Sequence, residues 1–334
     1  MMTDSDLRAL AGALETLGGA PVVRDADLRR YSRWRVGGRA RIVVEPASSE
    51  GVRACLAYLA DKPVPRIVIG DGSNILFDDA GFDGVVLRVG PALSRMRFDG
   101  PKVWAEAGVW VPRFVRLLGQ KGLGGLEHAI GIPGTLGGLV VMNGGSRRLG
   151  VGLNLTKVRG CDPLGAPFER DHDACQFRYR GSTLQDDGLI VLDADFEFQP
   201  VERSPLRQDM ISIMVERRGK FPKKLPNCGS VFLSDPAMYK IVGPPGAAIE
   251  NVGLKGRAFG QAQFSPLHAN FIVNNGGATS REILSLVHLA RETVHSRTGF
   301  WMDCEVRHIA PDGRVRPAHE AAAELLDNPL RVAG

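Results

Sequence analysis

Two glycine-rich loops are the segments whose residue types and spacing most clearly suggest chemistry. The first is Gly-Asp-Gly-Ser-Asn at 70–74, directly after the apolar run 67–69, and the second is Gly-Ile-Pro-Gly-Thr-Leu-Gly-Gly at 131–138. Glycine lacks a Cβ atom and tolerates positive φ, so such loops let a backbone approach another molecule closely. Neither matches the dinucleotide fingerprint or the lysine-containing P-loop. Backbone N–H groups can still hold a pyrophosphate. The pair predicts two cradles for one phosphate-bearing cofactor, although either loop alone is compatible with a simple turn.

Four polar segments downstream are further candidates. Ser230 follows a glycine beyond the basic run 217–224, which suits an anion site but is also typical of a solvated surface. The Arg-Tyr-Arg segment 178–180 could grip a carboxylate or phosphate. The polar stretch 265–270 precedes an apolar strand, and Glu305 lies in a predicted strand, facing either solvent or a pocket.

Composition narrows the class of protein. The chain has 334 residues, is 44% apolar and 24% charged, and carries a net charge of +5. That length predicts two or three compact units. The mild basic balance suits anionic substrates, whereas the lack of alternating aromatic and basic residues predicts no nucleic-acid partner. The apolar runs are too short to span a bilayer and no signal pattern opens the chain, which predicts no membrane partner and a cytoplasmic location. The five scattered cysteines predict reduced structural thiols and no metal site.

The elements that must position these residues follow two patterns. Over the first 200 residues, periodicity predicts helices at 4–17, from Ser48 onward and at 111–121, among strands at 41–45, 67–69, 85–87, 103–105, 189–192 and 196–198. Beyond them, Ser204-Pro205 predicts a helix start, and Thr279 with Glu282 forms a capping box for a helix to about 297. Strands are expected at 271–273 and 304–306, and a short alanine-rich helix after 317. The patterns predict a mixed α/β cofactor domain followed by a smaller α+β domain.

Taken together and in order, the motifs resemble those of the UDP-N-acetylenolpyruvoylglucosamine reductases, also called UDP-N-acetylmuramate dehydrogenases. The resemblance covers about residues 20–310 and fits the short type that lacks an extra substrate-covering loop. The matching segments are 36–38, 70–76, 125–127, 131–138, 142–143, 177–182, 227–232, 253–256, 268–274 and 305–306.

The resemblance implies an α+β fold. A vanillyl-alcohol-oxidase-type (PCMH-type) FAD-binding domain would occupy two lobes, residues 1–91 and 92–200. A smaller α+β substrate-binding domain would occupy residues 201–334. The protein would be a monomer.

The resemblance also implies an activity, the reduction of UDP-N-acetylglucosamine enolpyruvate to UDP-N-acetylmuramate in peptidoglycan precursor synthesis. NADPH would be the co-substrate that reduces a non-covalently bound FAD, and the flavin hydride would then add to the enolpyruvyl group of the UDP-sugar. By motif match, Ser230 would supply the proton, while Arg180 and Glu305 would stabilise an enolate-like intermediate. Glu305 would have to be protonated, or share a proton, to stabilise an anion.

The binding residues follow from the same motifs. The cofactor site would contain Gly70, Asp71, Gly72, Ser73, Asn74, Ile75, Gly131, Ile132, Pro133, Gly134, Thr135, Gly137, Gly138 and Asn143. The substrate site would contain Tyr179, Asn227, Lys220, His268 and Tyr239. Lys220 belongs to the basic run, whose candidate partner is the UDP pyrophosphate. Tyr239 is a candidate because residues 233–236 depart from the Lys-Asn-Pro segment of many relatives; an ordinary loop tyrosine is the alternative.

Two other functions stay open. A different flavin enzyme of this fold, an oxidase of alcohols or sugars, would often tether FAD through histidine or cysteine, and no histidine lies in the two glycine loops. A non-catalytic flavin-binding relative is the second alternative. The altered segment 233–236 favours this second alternative, and the presence of Arg180, Ser230 and Glu305 speaks against it. In an oxidase, Ser230 and Glu305 would be unexplained.

Overall fold

The computed structural model describes residues 3–327, and its buried apolar side chains form two cores. Unit 1 comprises residues 3–25, 41–71 and 84–217, and unit 2 comprises residues 26–40, 72–83 and 218–327. Leu14 and Phe114 are fully enclosed in the core of unit 1, and Trp34 and Phe264 in that of unit 2. Two N-terminal segments thus belong with the C-terminal part of the chain. The domain boundaries at 91 and 200 stay a prediction.

Several helices begin or end at local signals in the sequence. They are α1 (Asp4–Gly18), α2 (Ser49–Ala60), α3 (Val111–Lys121), α4 (Leu136–Val141), α5 (Thr183–Asp186), α6 (Arg203–Lys220), α7 (Pro236–Val242), α8 (Pro245–Asn251), α9 (Ser280–Thr298) and α10 (Ala318–Asp327). The capping box predicted at Thr279 and Glu282 is present at the start of α9, which ends at Gly299 in a left-handed conformation. Ser48 caps α2 by accepting from the Gly51 N–H.

The strands between residues 22 and 200 belong mostly to two sheets of unit 1, whereas β4 lies in unit 2. The strands are β1 (Val22–Asp27), β2 (Arg39–Val44), β3 (Arg66–Ile69), β4 (Ile75–Phe77), β5 (Phe82–Arg88), β6 (Met96–Asp99), β7 (Lys102–Glu106), β8 (Leu123–Gly124), β9 (Leu155–Cys161), β10 (Pro167–Asp171), β11 (Ile190–Glu197) and β12 (Gln199–Pro200). One sheet has the order β1-β2-β5-β3, with β3 parallel to β5, and most of its residues lie in unit 1. The other has the order β10-β9-β11-β7-β6 with antiparallel neighbours, and β12 pairs with β8.

Unit 2 contains two three-stranded sheets and the long helix α9. Its further strands are β13 (Ala258–Phe259), β14 (Ala262–Phe264), β15 (Ile272–Asn274), β16 (Arg307–Ile309) and β17 (Val315–Pro317). The sheets have the orders β13-β14-β15 and β17-β16-β4, and β4 runs parallel to β16. Trp34 Nε1 donates to the Ile272 carbonyl at 2.7 Å, and Asn274 Nδ2 donates to the Trp34 carbonyl at 2.9 Å. These two bonds fix the segment 26–40 against β15.

Three sequence predictions differ from the structure. No regular strand covers 304–306, because β16 begins at Arg307 and Cys304 makes an isolated bridge to Phe232. Ser204 is not a helix cap, since α6 already includes Arg203. The two strands predicted at 189–192 and 196–198 are one continuous strand, β11. The alanine-rich helix expected after 317 is present as α10.

The cysteines are buried and free, which is consistent with structural thiols. Burial raises the pKa of the Cys55, Cys161 and Cys175 thiols to about 11, and that of Cys228 to about 12. These side chains therefore stay protonated at neutral pH and pack as small apolar groups.

Candidate active site

The two glycine-rich loops lie against each other in unit 1. Gly70 follows β3, and Thr135 directly precedes α4. A Cβ atom at Gly70 would overlap Thr135 Oγ1. The second loop is itself held by backbone bonds, since the Gly137 N–H donates to the Ala107 carbonyl at 2.8 Å and the Leu136 N–H to the Val109 carbonyl at 2.8 Å. The structure therefore brings together two segments that the sequence assigns to one cofactor.

The second loop has room only for glycine at two further places. A Cβ atom at Gly137 would lie 2.7 Å from Ala107 Cβ, and one at Gly131 would lie 2.8 Å from Met214 Sδ. Gly131 also adopts φ 77°, and its carbonyl accepts from Arg217 Nη2 at 3.3 Å. Ile132 and Pro133 are half-buried, Gly134 and Thr135 are buried, and Gly138 is exposed. The loop is thus a tightly packed backbone ridge rather than a loose connection.

The second half of the first loop, residues 72–75, is anchored within unit 2. Gly72 adopts φ 65°, and its carbonyl accepts from the Cys228 thiol at 3.4 Å. Asn74 Nδ2 donates to the Glu305 carbonyl at 3.1 Å. Asp71, Ser73 and Ile75 are half-buried. The Asn74 amide, which the sequence suggested as a cofactor donor, holds the backbone of a predicted catalytic residue.

Arg180 lies on a tight turn of unit 1. Arg178 and Gly181 exchange two backbone hydrogen bonds, of 3.0 and 3.2 Å, and the Arg178 guanidinium pairs with Asp186 at 2.6 Å. Arg180 has φ 56°, a left-handed conformation that is costly for a residue with a Cβ atom and is concentrated at functional sites. Its Nη2 donates to the Gly145 carbonyl at 2.6 Å. The turn thus gives the two arginines different surroundings.

The segment after α4 fixes this turn. Asn143 Nδ2 donates to the Arg178 carbonyl at 2.9 Å, while Asn143 Oδ1 accepts from the Gly152 N–H at 3.0 Å. Ser182 Oγ donates to the Val141 carbonyl at 2.7 Å. Asn143, assigned to the cofactor from sequence, is therefore a brace between two loops. Its contact with a cofactor stays a prediction.

His128 supports Arg180 and was missed from the sequence. The ring is 3% exposed, and its Nδ1 accepts from the Ser146 N–H at 3.2 Å, so the neutral imidazole carries its proton on Nε2. A Cβ atom at Gly145 would lie 2.8 Å from His128 Cε1, which shows how closely the ring packs on the residue whose carbonyl binds Arg180. Burial, followed by the charges of Arg180 and Arg147, lowers the pKa of His128 to about 4.

We expect this histidine to make the protein less stable in acid. Unfolded His128 takes up a proton near its ordinary pKa of 6.5, whereas the folded residue does so only near 4. Between these values the unfolded state binds more protons, so the free energy of unfolding falls as the pH falls, by about 2 kcal/mol at pH 5. Urea unfolding at pH 7.5 and pH 5 should show a larger loss for the wild type than for His128→Phe. An equal loss in both proteins would contradict the assignment, because the pKa values of His268 and His319 are lowered in both.

Ser230 and Glu305 are carried by neighbouring chain segments of unit 2. The Glu305 N–H donates to the Val231 carbonyl at 2.8 Å, and Phe232 forms an antiparallel bridge with Cys304. Because Val231 directly follows Ser230, the pairing brings the two predicted catalytic residues to adjacent positions of the same pair of segments. Both are half-buried.

Asn270 holds the serine segment from its other side. Its Oδ1 accepts from the Phe232 N–H and its Nδ2 donates to the Phe232 carbonyl, both at 2.9 Å, and its own carbonyl accepts from the Val231 N–H at 2.9 Å. The Asn270 side chain thus pairs with both backbone groups of Phe232, as a neighbouring β-strand would. A buried asparagine between an alanine and a phenylalanine gives no sequence signal for such a partner 38 residues away.

The predicted substrate residues of unit 2 have different surroundings. Asn227 Nδ2 donates to the carbonyls of Pro222 and Leu225, both at 2.8 Å, and Asn227 Oδ1 accepts from the Gly229 N–H at 3.1 Å, so this side chain shapes the loop before Ser230. His268 packs on Phe271, with ring centroids 5.1 Å apart. Lys220 and Tyr239 are exposed.

The charges of the two units favour anionic ligands. In unit 2, burial and then the nearby Lys220 and Lys255 lower the pKa of His268. In unit 1, Tyr179 is exposed and its ring centroid lies 5.2 Å from the Arg180 guanidinium carbon. A serine hydroxyl can donate a proton when a partner replaces it, and an arginine can neutralise an anion.

Comparison with known proteins identifies the family. Residues 221–309 match the family model for the C-terminal domain of UDP-N-acetylenolpyruvoylglucosamine reductase, and residues 40–165 match that of an FAD-binding domain. Over 300 residues the chain is 48% identical to UDP-N-acetylenolpyruvoylglucosamine reductase 1 of Corynebacterium glutamicum, covering 90% of each chain. The chain belongs to this reductase family. A relative from Moorella thermoacetica is 36% identical, over 90% of this chain and 97% of its own.

A solved reductase structure agrees with the family membership. The crystal structure of UDP-N-acetylenolpyruvylglucosamine reductase from Thermus caldophilus matches with a TM-score of 0.71 and 29% identity, covering 86% of this chain and 97% of that chain. The predicted fold class is confirmed: a PCMH-type FAD-binding domain precedes a smaller α+β C-terminal domain of the reductase family. None of the helices between residues 3 and 327 combines the length and hydropathy needed to cross a bilayer.

The segment after Phe232 leads into α7. The Leu233 N–H donates to the Asp303 carbonyl at 2.8 Å. Asp235 Oδ1 accepts from the Ala237 N–H at 2.8 Å and so caps the helix, which Pro236 begins. Tyr239 lies on this helix, and its role as a substrate contact stays a prediction.

Proposed function

We propose that this protein reduces UDP-N-acetylglucosamine enolpyruvate to UDP-N-acetylmuramate, with NADPH as co-substrate and FAD as a non-covalent cofactor, for peptidoglycan precursor synthesis. The carrying observation is the hydrogen bond of 2.8 Å between the Glu305 N–H and the Val231 carbonyl, which joins the segments of Ser230 and Glu305. The relatives from Corynebacterium glutamicum and Moorella thermoacetica carry the name of a reductase of this substrate.

Residues 70–75 and 131–138 would hold FAD. The proposal is supported by the close packing at Gly70 and Gly137, where any Cβ atom would collide with a neighbouring segment, so that the two loops lie close enough to serve one cofactor. FAD, when bound, supplies the hydride that the enolpyruvyl group needs. The chain's own residues supply the proton, the charge stabilisation and the binding.

Ser230 Oγ is the proposed proton donor to the substrate carbon. Serine is a weak acid, so the proton must be replaced through a neighbouring group, and the half-buried Glu305 on the paired segment is the proposed partner. The Arg180 guanidinium is the proposed stabiliser of the negative charge that develops on the enolpyruvyl carboxylate. Its orientation is fixed in advance by the Gly145 carbonyl.

The remaining proposed contacts bind the sugar nucleotide. Lys220, at the end of α6, would meet the pyrophosphate, together with its basic neighbours Lys223 and Lys224. Tyr179, Asn227, His268 and Tyr239 complete the proposed substrate site. The cationic surroundings of His268 favour this use.

An anaerobic two-step experiment tests the function. The purified protein should be yellow, NADPH should bleach the flavin absorbance, and the enolpyruvyl sugar nucleotide should then restore it without oxygen. Release of FAD by mild denaturation is expected for non-covalent binding. Oxygen consumption with an alcohol or sugar would instead indicate an oxidase, and a flavin that NADPH bleaches but the sugar nucleotide never restores would contradict the proposed substrate.

A further inference from the structure

The start of α10 is hydrogen-bonded to the segment that carries Glu305. His319 Nδ1 accepts from the Cys304 N–H at 2.9 Å, and the Ala318 N–H donates to the Val306 carbonyl at 2.8 Å. These two bonds flank Glu305 on either side. The Glu305 peptide itself is held by Val231 and Asn74. Among these four partners, only His319 contributes a titratable group.

The surroundings of His319 are polar but nearly closed to water. Its side chain is 11% exposed, and its Nε2 lies 3.4 Å from Asp303 Oδ1. Arg291 of α9 approaches the same oxygen, with 3.6 Å between Nη2 and Oδ1. Glu320 directly follows His319 on α10. The Cys304 thiol also lies on the residue that His319 contacts, and burial keeps that thiol neutral.

We propose that His319 is a positioning residue for Glu305: the neutral ring holds the Cys304 N–H and thereby fixes the Glu305 backbone, and protonation of the ring releases it. The proposal rests on the role of Glu305 in the function proposed above. His319 itself lies outside the reacting groups, because its ring bonds the backbone of the preceding residue.

The chemistry of imidazole gives this contact its pH dependence. The protonated ring carries an N–H on both nitrogens, so Nδ1 can no longer accept, and two donors would then face each other. Burial, opposed by Asp303 and reinforced by Arg291, leaves the pKa of His319 below its ordinary value. The neutral ring, which accepts the Cys304 N–H, therefore predominates at neutral pH and is lost as the pH falls.

Two variants distinguish the loss of the hydrogen-bond acceptor at residue 319 from the loss of its titratable group. In His319→Asn, the side-chain oxygen stands near the former Nδ1 and can accept at every pH. In His319→Leu, a similar volume carries no acceptor. His288→Leu, on α9, is the matched control for removing a histidine from the same unit.

The half-reactions provide the first readout. We expect His319→Leu to slow flavin reoxidation by the sugar nucleotide by roughly 10–100-fold, as for a misplaced reacting group, while flavin reduction by NADPH is unchanged. His319→Asn should keep the neutral-pH rate and lack the decline in acid that we expect of the wild type, and His288→Leu should match the wild type. Equal loss of both half-reactions in His319→Leu, or an asparagine variant as slow as the leucine variant, would overturn the proposal.

Amide hydrogen exchange gives a readout that does not depend on activity. Peptides spanning 303–306 should exchange faster in His319→Leu than in the wild type at pH 7, and His319→Asn should stay protected. On acidification the wild type should lose protection relative to His319→Asn at the same pH. If exchange over 303–306 is the same in His319→Leu as in the wild type, the positioning role of His319 is refuted. If Glu305→Gln leaves reoxidation intact while exchange in the His319 variants responds as expected, the catalytic role of Glu305 is wrong, but His319 still fixes this backbone segment.

Discussion

Ser230→Ala is expected to leave flavin reduction by NADPH intact and to slow flavin reoxidation by the enolpyruvyl sugar nucleotide by about 10²–10⁴-fold. That range is the usual contribution of a positioned general acid. The reductive half-reaction needs no proton for the substrate carbon, whereas the oxidative one does. Anaerobic stopped-flow measurement of the flavin absorbance follows the two half-reactions separately.

The matched control for this variant is Ser285→Ala, which removes a hydroxyl from α9 of the same unit. Ser285 Oγ donates to the Arg281 carbonyl of its own helix at 2.9 Å, so its loss should affect neither half-reaction. The assignment of Ser230 requires a selective effect. If Ser230→Ala slows both half-reactions equally, the hydroxyl supports the structure of the site and is not the acid.

Local chemistry made most helices of this fold predictable. The box of Thr279 and Glu282 is complete within four residues, and both of its reciprocal bonds form in the structure. Helix α3 likewise runs over the predicted residues 111–121, between Pro112 near its start and the left-handed Gly122 at its end. Such signals act over one helical turn, so neighbouring residues suffice to read them.

The grouping of the segments could not be predicted in the same way. Trp34 donates to the Ile272 carbonyl 238 residues away, and Asn274 returns a bond to Trp34. A tryptophan in a short N-terminal loop gives no local sign of this partner. The assignment of 26–40 and 72–83 to unit 2 depends on long-range contacts of this kind. The spacing of apolar residues along the sequence gives no information about them.

The candidate site shows the same limit at its asparagines. From sequence, Asn74 and Asn143 read as donors to a ligand, because each lies beside a glycine-rich loop. In the structure both amides bond backbone groups of distant segments. Side-chain type and spacing identify the segments that form a site, but the partner of a polar group is decided by long-range packing. For that reason the sequence did not reveal that His128 braces the predicted arginine, or that Asn270 braces the predicted serine.

Gly70→Ala is expected to weaken FAD binding by roughly 10–100-fold. The new Cβ atom would overlap Thr135 Oγ1, and Thr135 is buried, so the first loop must move away from the second. Inserting a methyl group into packed structure typically costs about 1–3 kcal/mol, and each 1.4 kcal/mol corresponds to about tenfold in affinity. Titration of the flavin-free protein with FAD, followed by flavin fluorescence, measures the change. Gly12→Ala on α1, where a Cβ atom meets nothing within 4 Å, is the matched control and should bind FAD as the wild type does.

A double variant decides whether the loss comes from the contact between the loops. Thr135→Ala removes the colliding oxygen and leaves Thr135 Cβ at 3.3 Å from the new methyl carbon, a contact that small shifts can relieve. Added to Gly70→Ala, it should therefore recover part of the affinity, so the two changes are not additive. Additive losses would mean that each loop meets FAD independently. Unchanged affinity in Gly70→Ala would mean that the cofactor does not depend on the packing of these two loops, and the proposed cradle would have to be abandoned.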